Sequence, residues 1–348
     1  MTPAELLAGA MLAALVLYGL LGGADFGGGI WDLLAGGPRR REQRALIERA
    51  IGPVWEANHV WLVLVVVLLF TGFPRAFSAV CIALFAPLTL LLVGIVLRGA
   101  AFTFRAYDRP DVRIQDRWGL AFSISSVLAP LLLGVVVGAI ASGRATAPGP
   151  GPLSWLTPFT GAVGLFAAAL FAFLAATYLA VEAEGALRED FRRRALGAGL
   201  AVFGCALAVG ILSRWEAQAV FAGLTGRAFT LPLHLATGAA AVTALAALAH
   251  GRVRLARAAA VVQVALIVLG WGASQYPYLL APDLTIQAVA APSATLVPLL
   301  WALAAGAVLL FPALYLLFRV FKGERAFAVV DGERPQGSRR SSPVPPPS

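Results

Sequence analysis

Four residues within largely apolar sequence have the chemistry to move protons: Asp25, Glu56, Asn58 and His59. Glu56 stands in Pro53-Val54-Trp55-Glu56-Ala57-Asn58-His59-Val60-Trp61, and Asp25 in Gly22-Gly23-Ala24-Asp25-Phe26-Gly27-Gly28-Gly29. An ionisable side chain inside a membrane span is costly, and is a functional candidate for that reason. A carboxyl held partly out of water can take up and release protons near neutrality. Glu56 and His59 are three apart and share a helical face. The blander alternative is an interfacial acid at a helix start, where Glu56 would suit the positive end of the helix dipole. Trp55 and Trp61 read as interfacial anchors.

Other chemistries are poorly served. The three histidines, His59, His234 and His250, and the two methionines, Met1 and Met11, show no pair at metal-binding spacing. No metal site is expected, and no haem ligand is clear. His234, in Leu231-Pro232-Leu233-His234-Leu235, reads better as a hydrogen-bonded residue at a helix start than as an axial ligand. His250, beside Arg252, reads as solvated. Cys81 and Cys205 sit in apolar runs and read as small buried hydrophobes. No serine occupies a nucleophile elbow. The chain alone is expected to have no catalytic residue. Five of residues 22–29 are glycine, which permits close approach of a helix or cofactor, or an unwound helix end. That run follows an apolar span rather than a strand, so it is not read as a phosphate loop.

The elements that must position these groups follow from composition. Of 348 residues, 59% are hydrophobic and 13% charged, and mean hydropathy is +0.82. Soluble domains carry about 25% charged residues, so a soluble enzyme, a disordered chain and a disulfide scaffold are excluded. Nine segments reach the roughly 20 apolar residues a helical span needs: 6–26, 57–74, 78–101, 118–142, 156–181, 195–213, 228–249, 256–279 and 294–320. They do not alternate as barrel strands do. The expected fold is an all-α polytopic membrane protein, one transmembrane domain over 1–323.

Lys+Arg number 27 against 18 Asp+Glu, a net charge of +9. With the amino terminus outside, 23 of the 27 basic residues fall on inner loops and the inner ends of helices. Arg75, Arg144, Arg214 and Arg227 fall outside. This asymmetry predicts an outside amino terminus and reads the charge as facing anionic lipid, not nucleic acid. Met1 to Glu5 lacks a basic n-region, so no cleavable signal is expected. The loop Thr146 to Pro152 reads as an irregular outer connection. The Pro/Ser/Arg-rich tail, 324–348, is expected to be a disordered cytoplasmic segment.

Several strings together resemble one family. Tyr18, Leu21, Gly23, Asp25, Gly27 and Gly29 match a "DGFDLGVG"-type stretch. Pro53-x-Trp55-Glu56-x-Asn58-x-x-Trp61-Leu62 follows, then Leu97-Arg98-Gly99-Ala100-Ala101-Phe102-Thr103-Phe104-Arg105. Trp118, Ser126, Pro130 and Gly134 come next, then Tyr178-Leu179, Glu182 and Gly185. Tyr276-Pro277-Tyr278, Pro282, Leu284-Thr285-Ile286 and Thr295-Leu296 continue the order. Pro312, Tyr315, Arg319, Phe321, Lys322 and Gly323 close it. Over about residues 15–323 the sequence resembles subunit II of the cytochrome bd-type quinol oxidases. It departs at Gly22, where the family has the first acid, at Ala24, where it has Phe, and at Thr103, where it often has Glu.

The resemblance implies two four-helix bundles plus a peripheral helix. It implies a heterodimer with subunit I in a bacterial inner membrane, and leaves a small third subunit open. Haem b and haem d would lie in subunit I and near the subunit interface, with quinol and membrane lipid as further partners. Electrons from quinol would reduce oxygen to water, generating proton motive force. Proton uptake from the cytoplasm would run past Glu56, Asp25, Asn58 and His59. Trp55, Trp61, Arg98 and Arg105 would serve as structural or interface residues. The competing reading is a secondary transporter using a buried carboxylate, since transporters share glycine-broken helices and buried acids.

Overall fold

The computed structural model describes residues 1–107, 112–147, 151 and 153–322; the side chains of 51–57, 105–107, 112–116, 317, 318 and 320–322 are outside that description. The tail 324–348 and part of the 146–152 loop lie outside the described residues. The chain divides into two units, 1–302 and 303–348.

Helices dominate. They are α1 (Pro3–Leu33), α2 (Arg40–Gly72), α3 (Pro74–Ala83), α4 (Phe85–Tyr107), α5 (Val112–Ala141), α6 (Pro158–Glu182) and α7 (Gly185–Glu216). After these come α8 (Gln218–Thr225), α9 (Thr230–Ala249), α10 (Val253–Gln275), α11 (Ile286–Val289) and α12 (Ser293–Lys322). Among the described residues eight helices are long and apolar enough to cross a membrane: α1, α4, α5, α6, α7, α9, α10 and α12. Residues 58–72 and α3, bent by 116° where they meet, pass the same test together and make a ninth. Eight spans, or nine with the bent pair taken as one, stand against the nine expected segments; the bent pair joins the expected second segment to the start of the third.

Several boundaries differ from those expected. α1 runs 31 residues, to Leu33, about 46 Å at 1.5 Å per residue. Asp25 thus lies inside the helix rather than at its end. α2 begins at Arg40, so position 56 is a helix interior and not a start, and the dipole argument for Glu56 does not apply. The first ends are well made. Thr2 accepts from the Glu5 N–H while the Glu5 carboxylate accepts from the Thr2 N–H, with Pro3 at the first position. Thr157 and Pro158 begin α6 in the same way. The expected eighth span ends earlier than predicted because Pro277 and Pro282 cannot extend a helix. Tyr278–Leu280 (β1) instead pairs antiparallel with Leu284–Thr285 (β2).

Within residues 1–302, α1 packs on α2, α5, α6 and α10, and α5 on α4 and α6. α6 packs on α7 and α10, and α9 on α10. The expected grouping is visible: α1, α2, α4 and α5 form one set, α6, α7, α9 and α10 another, joined through α1 and α6. Small residues line the second set: Ala175, Ala176, Ala195, Ala244, Ala256 and Ala260 are buried around Phe173 and Phe191. Small side chains let spanning helices approach, which is where lipid-embedded packing finds its contacts.

Charged ends are paired across helices. Arg39 meets Asp190, and Arg257 meets Glu182, at the end where α1, α6 and α9 finish. Arg144 meets Glu216, and Arg227 donates to the Ala273 carbonyl, at the opposite end.

Candidate functional site

The glycine run of α1 makes the site possible. A Cβ at Gly27 would lie 2.0 Å from the Phe171 carbonyl oxygen, and one at Gly29 2.1 Å from the Ser126 hydroxyl. Each glycine costs about 1 kcal/mol in a helix interior. Here that cost is offset by contact of α1 with α5 and α6. Of the three readings open for these glycines, close helix approach is the one observed; the helix is not unwound.

Asp25, at the centre of this contact, is fully buried, and so is Arg98 of α4. The two form a bidentate pair: Arg98 Nη2 donates to Asp25 Oδ1 at 2.5 Å and Nη1 to Oδ2 at 3.0 Å. Nη2 also donates to the Asp25 carbonyl at 3.2 Å, and Nε to Ser126 Oγ of α5 at 2.9 Å. The guanidinium lies between the rings of Phe26 and Phe122, at 4.7 and 4.9 Å. A planar fork stacked on aromatic faces is what arginine offers and lysine does not. From α2, the buried Asn58 directs Nδ2 toward Asp25 Oδ2 at 3.4 Å. Three helices, α1, α2 and α4, therefore meet on one carboxylate, and a fourth, α5, holds its arginine partner.

The departure at Gly22 acquires a local meaning here. A Cβ at Gly22 would lie 3.0 Å from Asn58 Oδ1. Asn58 occupies the space that a side chain at position 22 would need.

Of the residues predicted from sequence, Asp25, Asn58 and Arg98 come together. His59 is half-buried and within electrostatic reach of Asp25. Trp61 is buried. The side chains of Glu56, Trp55 and Arg105 lie outside the described residues, although the backbone of each is helical. The residue that sequence reasoning missed is Asp32. It follows Asp25 by two turns on the same face of α1, and lies in what was expected to be a loop. It is buried, accepts from Ser123 Oγ of α5 at 2.8 Å and lies 3.7 Å from Arg44 Nε. The spacing of seven was the available signal, concealed by ending the span at residue 26.

A second feature is an apolar cavity of about 440 Å3 between α1, α5, α6, α7, α9 and α10. Tyr18, Ser213, His234, Thr237 and Trp271 are its polar-bearing walls. Its lining decides whether it can hold a haem. One imidazole faces it, with neither methionine, cysteine nor a second histidine opposite, and no lysine or arginine is there to meet a propionate. A haem needs an axial donor and its carboxylates need partners. The donor set of this cavity does not fit the group. Among the described residues no three His, Cys, Asp or Glu side chains gather as a metal site.

Comparison with known proteins bears on the family and the fold. A cytochrome bd ubiquinol oxidase subunit 2 of Bacillus subtilis is 31% identical over 36% of this chain and 37% of its own. A second protein of that organism, named as a candidate cytochrome bd menaquinol oxidase subunit II, is 23% identical over 89% of this chain and 93% of its own. The cytochrome bd-I ubiquinol oxidase subunit 2 of Escherichia coli K12 is 26% identical over 57% and 53%. In fold, the chain is similar to a chain of the bd oxidase from Geobacillus thermodenitrificans, with TM-score 0.78 and 24% identity over 92% of this chain and 99% of that one. None of these is a transporter. The model of one family, cytochrome bd terminal oxidase subunit II, matches residues 3–321, and the chain belongs to that family.

Proposed function

We propose that this chain, as the second subunit of a quinol-oxidising complex, supplies protons to oxygen reduction carried out on haems held mainly by subunit I. Two quinols release four electrons and four protons; one oxygen molecule takes four of each to give two waters. Drawing the consumed protons from the cytoplasm while quinol releases its own outside yields proton motive force. Haem b and haem d belong to subunit I and the subunit interface on this reading, in keeping with the poor donor set here. The complex resides in the inner membrane.

The observation that carries the proposal is the buried Asp25–Arg98 pair, reached by Asn58 and Ser126 in the apolar interior. Taking two charges out of water costs several kcal/mol per ion, so such a pair in a membrane span points to use. Glu56, two residues before Asn58 on α2, is the protonatable group of the uptake path. His59 lines the path, and Asp25 is its fixed inner charge. Trp55, Trp61 and Arg105 support the face toward subunit I.

Glu56→Gln keeps the shape and removes the titrating proton. Oxygen consumption by membranes, normalised to haem, should fall at least tenfold, about 1.4 kcal/mol on the barrier. Glu56→Asp should retain much of the activity. Full activity in Glu56→Gln at normal haem content removes Glu56 from the path; loss of haem along with activity makes it an interface residue. The direction of uptake requires the amino terminus outside. Reporter fusions after residues 45 and 150 should report cytoplasm and exterior respectively, and the reverse result refutes the orientation.

A further inference from the structure

The α1–α2 connection and the start of α7 enclose a second pocket, remote in character from the Asp25 site. It has a volume of about 270 Å3 and is lined by Gly36, Gly37, Pro38, Arg39, Gln43, Asp190, Arg193 and Arg194. Three guanidiniums face one carboxylate. That carboxylate is already engaged: Asp190 accepts from Arg39 Nε and Nη2 at 2.8 and 2.6 Å and from Gln43 Nε2 at 3.2 Å. The pocket is therefore cationic, and Asp190 positions Arg39 and Gln43 rather than offering itself to a cation.

Arg194 is the built element. Its guanidinium lies over the rings of Trp31 and Phe191, at 5.5 and 5.1 Å. Nη2 donates to Gln43 Oε1 at 2.8 Å and to the Leu34 carbonyl at 3.4 Å. Gln43 Oε1 also accepts from the Gly36 N–H at 3.2 Å, tying the loop to α2. Nη1 of Arg194 is buried and has no hydrogen-bond partner. A buried donor on a charged group left unpaired is expensive, so the Arg194 guanidinium carries charge that its neighbours do not meet, and its charge favours an anion in the pocket it lines. Arg193 adds an exposed charge at the rim, 75% exposed. Gly37 turns the loop with φ +74°, keeping the rim free of a side chain there.

We propose that this pocket binds a phosphate group, either that of an anionic phospholipid headgroup or that of a soluble phosphate compound. Guanidinium forks match phosphate oxygens two at a time. A divalent cation is disfavoured by three arginines. Leu33 and Leu34 expose their side chains beside the loop, a surface along which an acyl chain can lie, so the lipid source accounts for more of the geometry.

The test uses the assembled oxidase, both subunits together, stripped of lipid in detergent. One arm returns it to nanodiscs of phosphatidylcholine alone or with phosphatidylglycerol and counts retained lipids by native mass spectrometry. The other titrates inorganic phosphate calorimetrically. Saturable retention of phosphatidylglycerol without phosphate binding assigns a lipid site; saturable phosphate binding assigns a soluble ligand. In either arm Arg194→Gln should weaken binding about tenfold, from the loss of a charge-assisted hydrogen bond, and Arg254→Gln, in the first turn of α10 and not among the pocket's lining residues, should leave it unchanged. If Arg194→Gln does not assemble, Arg193→Gln, whose side chain is exposed and meets only Glu189 one turn back on α7, should weaken binding by a smaller factor. Absence of saturable binding in both arms, or binding equal in the wild type and in the Arg194→Gln and Arg193→Gln variants, overturns the proposal.

Discussion

The interior of the α1, α2, α4 and α5 set and the interior of the α6, α7, α9 and α10 set solve opposite problems with similar helices. In the first, a fully buried carboxylate and guanidinium hold each other, with an amide and a hydroxyl joining them. In the second, alanines and phenylalanines pack closely, and where that set meets α1 and α5 an apolar void of about 440 Å3 is left. Both are apolar by composition. The difference teaches that helix packing in lipid tolerates a void more cheaply than an unpaired charge. A buried charge is therefore found in the half where a partner charge holds it.

The largest expected effect breaks the polar half. Arg98→Met leaves Asp25 buried without its cation, a cost of about 3–5 kcal/mol, and assembled oxidase should largely vanish from membranes, measured by haem absorbance and immunoblot. The double variant Asp25→Leu with Arg98→Met removes both charges, and assembly should return while oxygen consumption does not. Activity returning with assembly would reduce the pair to scaffolding, and normal assembly of Arg98→Met alone would show that the pair is not the anchor described here.

A middle effect sharpens the contrast in packing. Gly27→Val places atoms on the Phe171 carbonyl and should destabilise the complex by about 1–3 kcal/mol, read as a lower thermal midpoint. Gly210→Ala, in the cavity wall where nothing lies within 4 Å of a new Cβ, should leave stability unchanged or raise it, by up to about 1 kcal/mol from helix propensity. Equal shifts in the two would erase the distinction.

The smallest effect concerns the cavity's one imidazole. His234→Ala should leave the visible spectrum and haem content of the assembled oxidase unchanged, because the walls offer a haem neither a second ligand nor a cation. Loss of one haem would make His234 a ligand after all.

Much of the site was legible along the chain. Asp25 and Asn58 stand out as polar residues beside apolar sequence, whereas Arg98 is legible only as an inner basic residue and as part of the family motif. Their meeting is not legible, since Arg98 is 73 positions from Asp25. Asp32 was hidden because hydropathy falls where glycines gather, and the span was closed at residue 26. The glycines do not end the helix: α5 and α6 press against them and make the helix worth keeping. Conversely, the separation of α3 from α4 is not legible in the sequence, because the apolar run of the expected third span, 78–101, continues through Leu84.

The amino-acid sequence by itself determined the number of apolar segments, the helical class and the basic asymmetry between loops. The physical reason is that transfer to lipid and attraction to anionic headgroups depend on local composition. Only the tertiary structure decided that Asp25 is paired rather than merely buried, that Gly22 yields its space to Asn58, and that Arg194 holds one donor unmet. Those outcomes depend on which helices touch and in what register. Close packing sets both, and in lipid it acts through contacts a few ångströms wide between residues far apart in the chain.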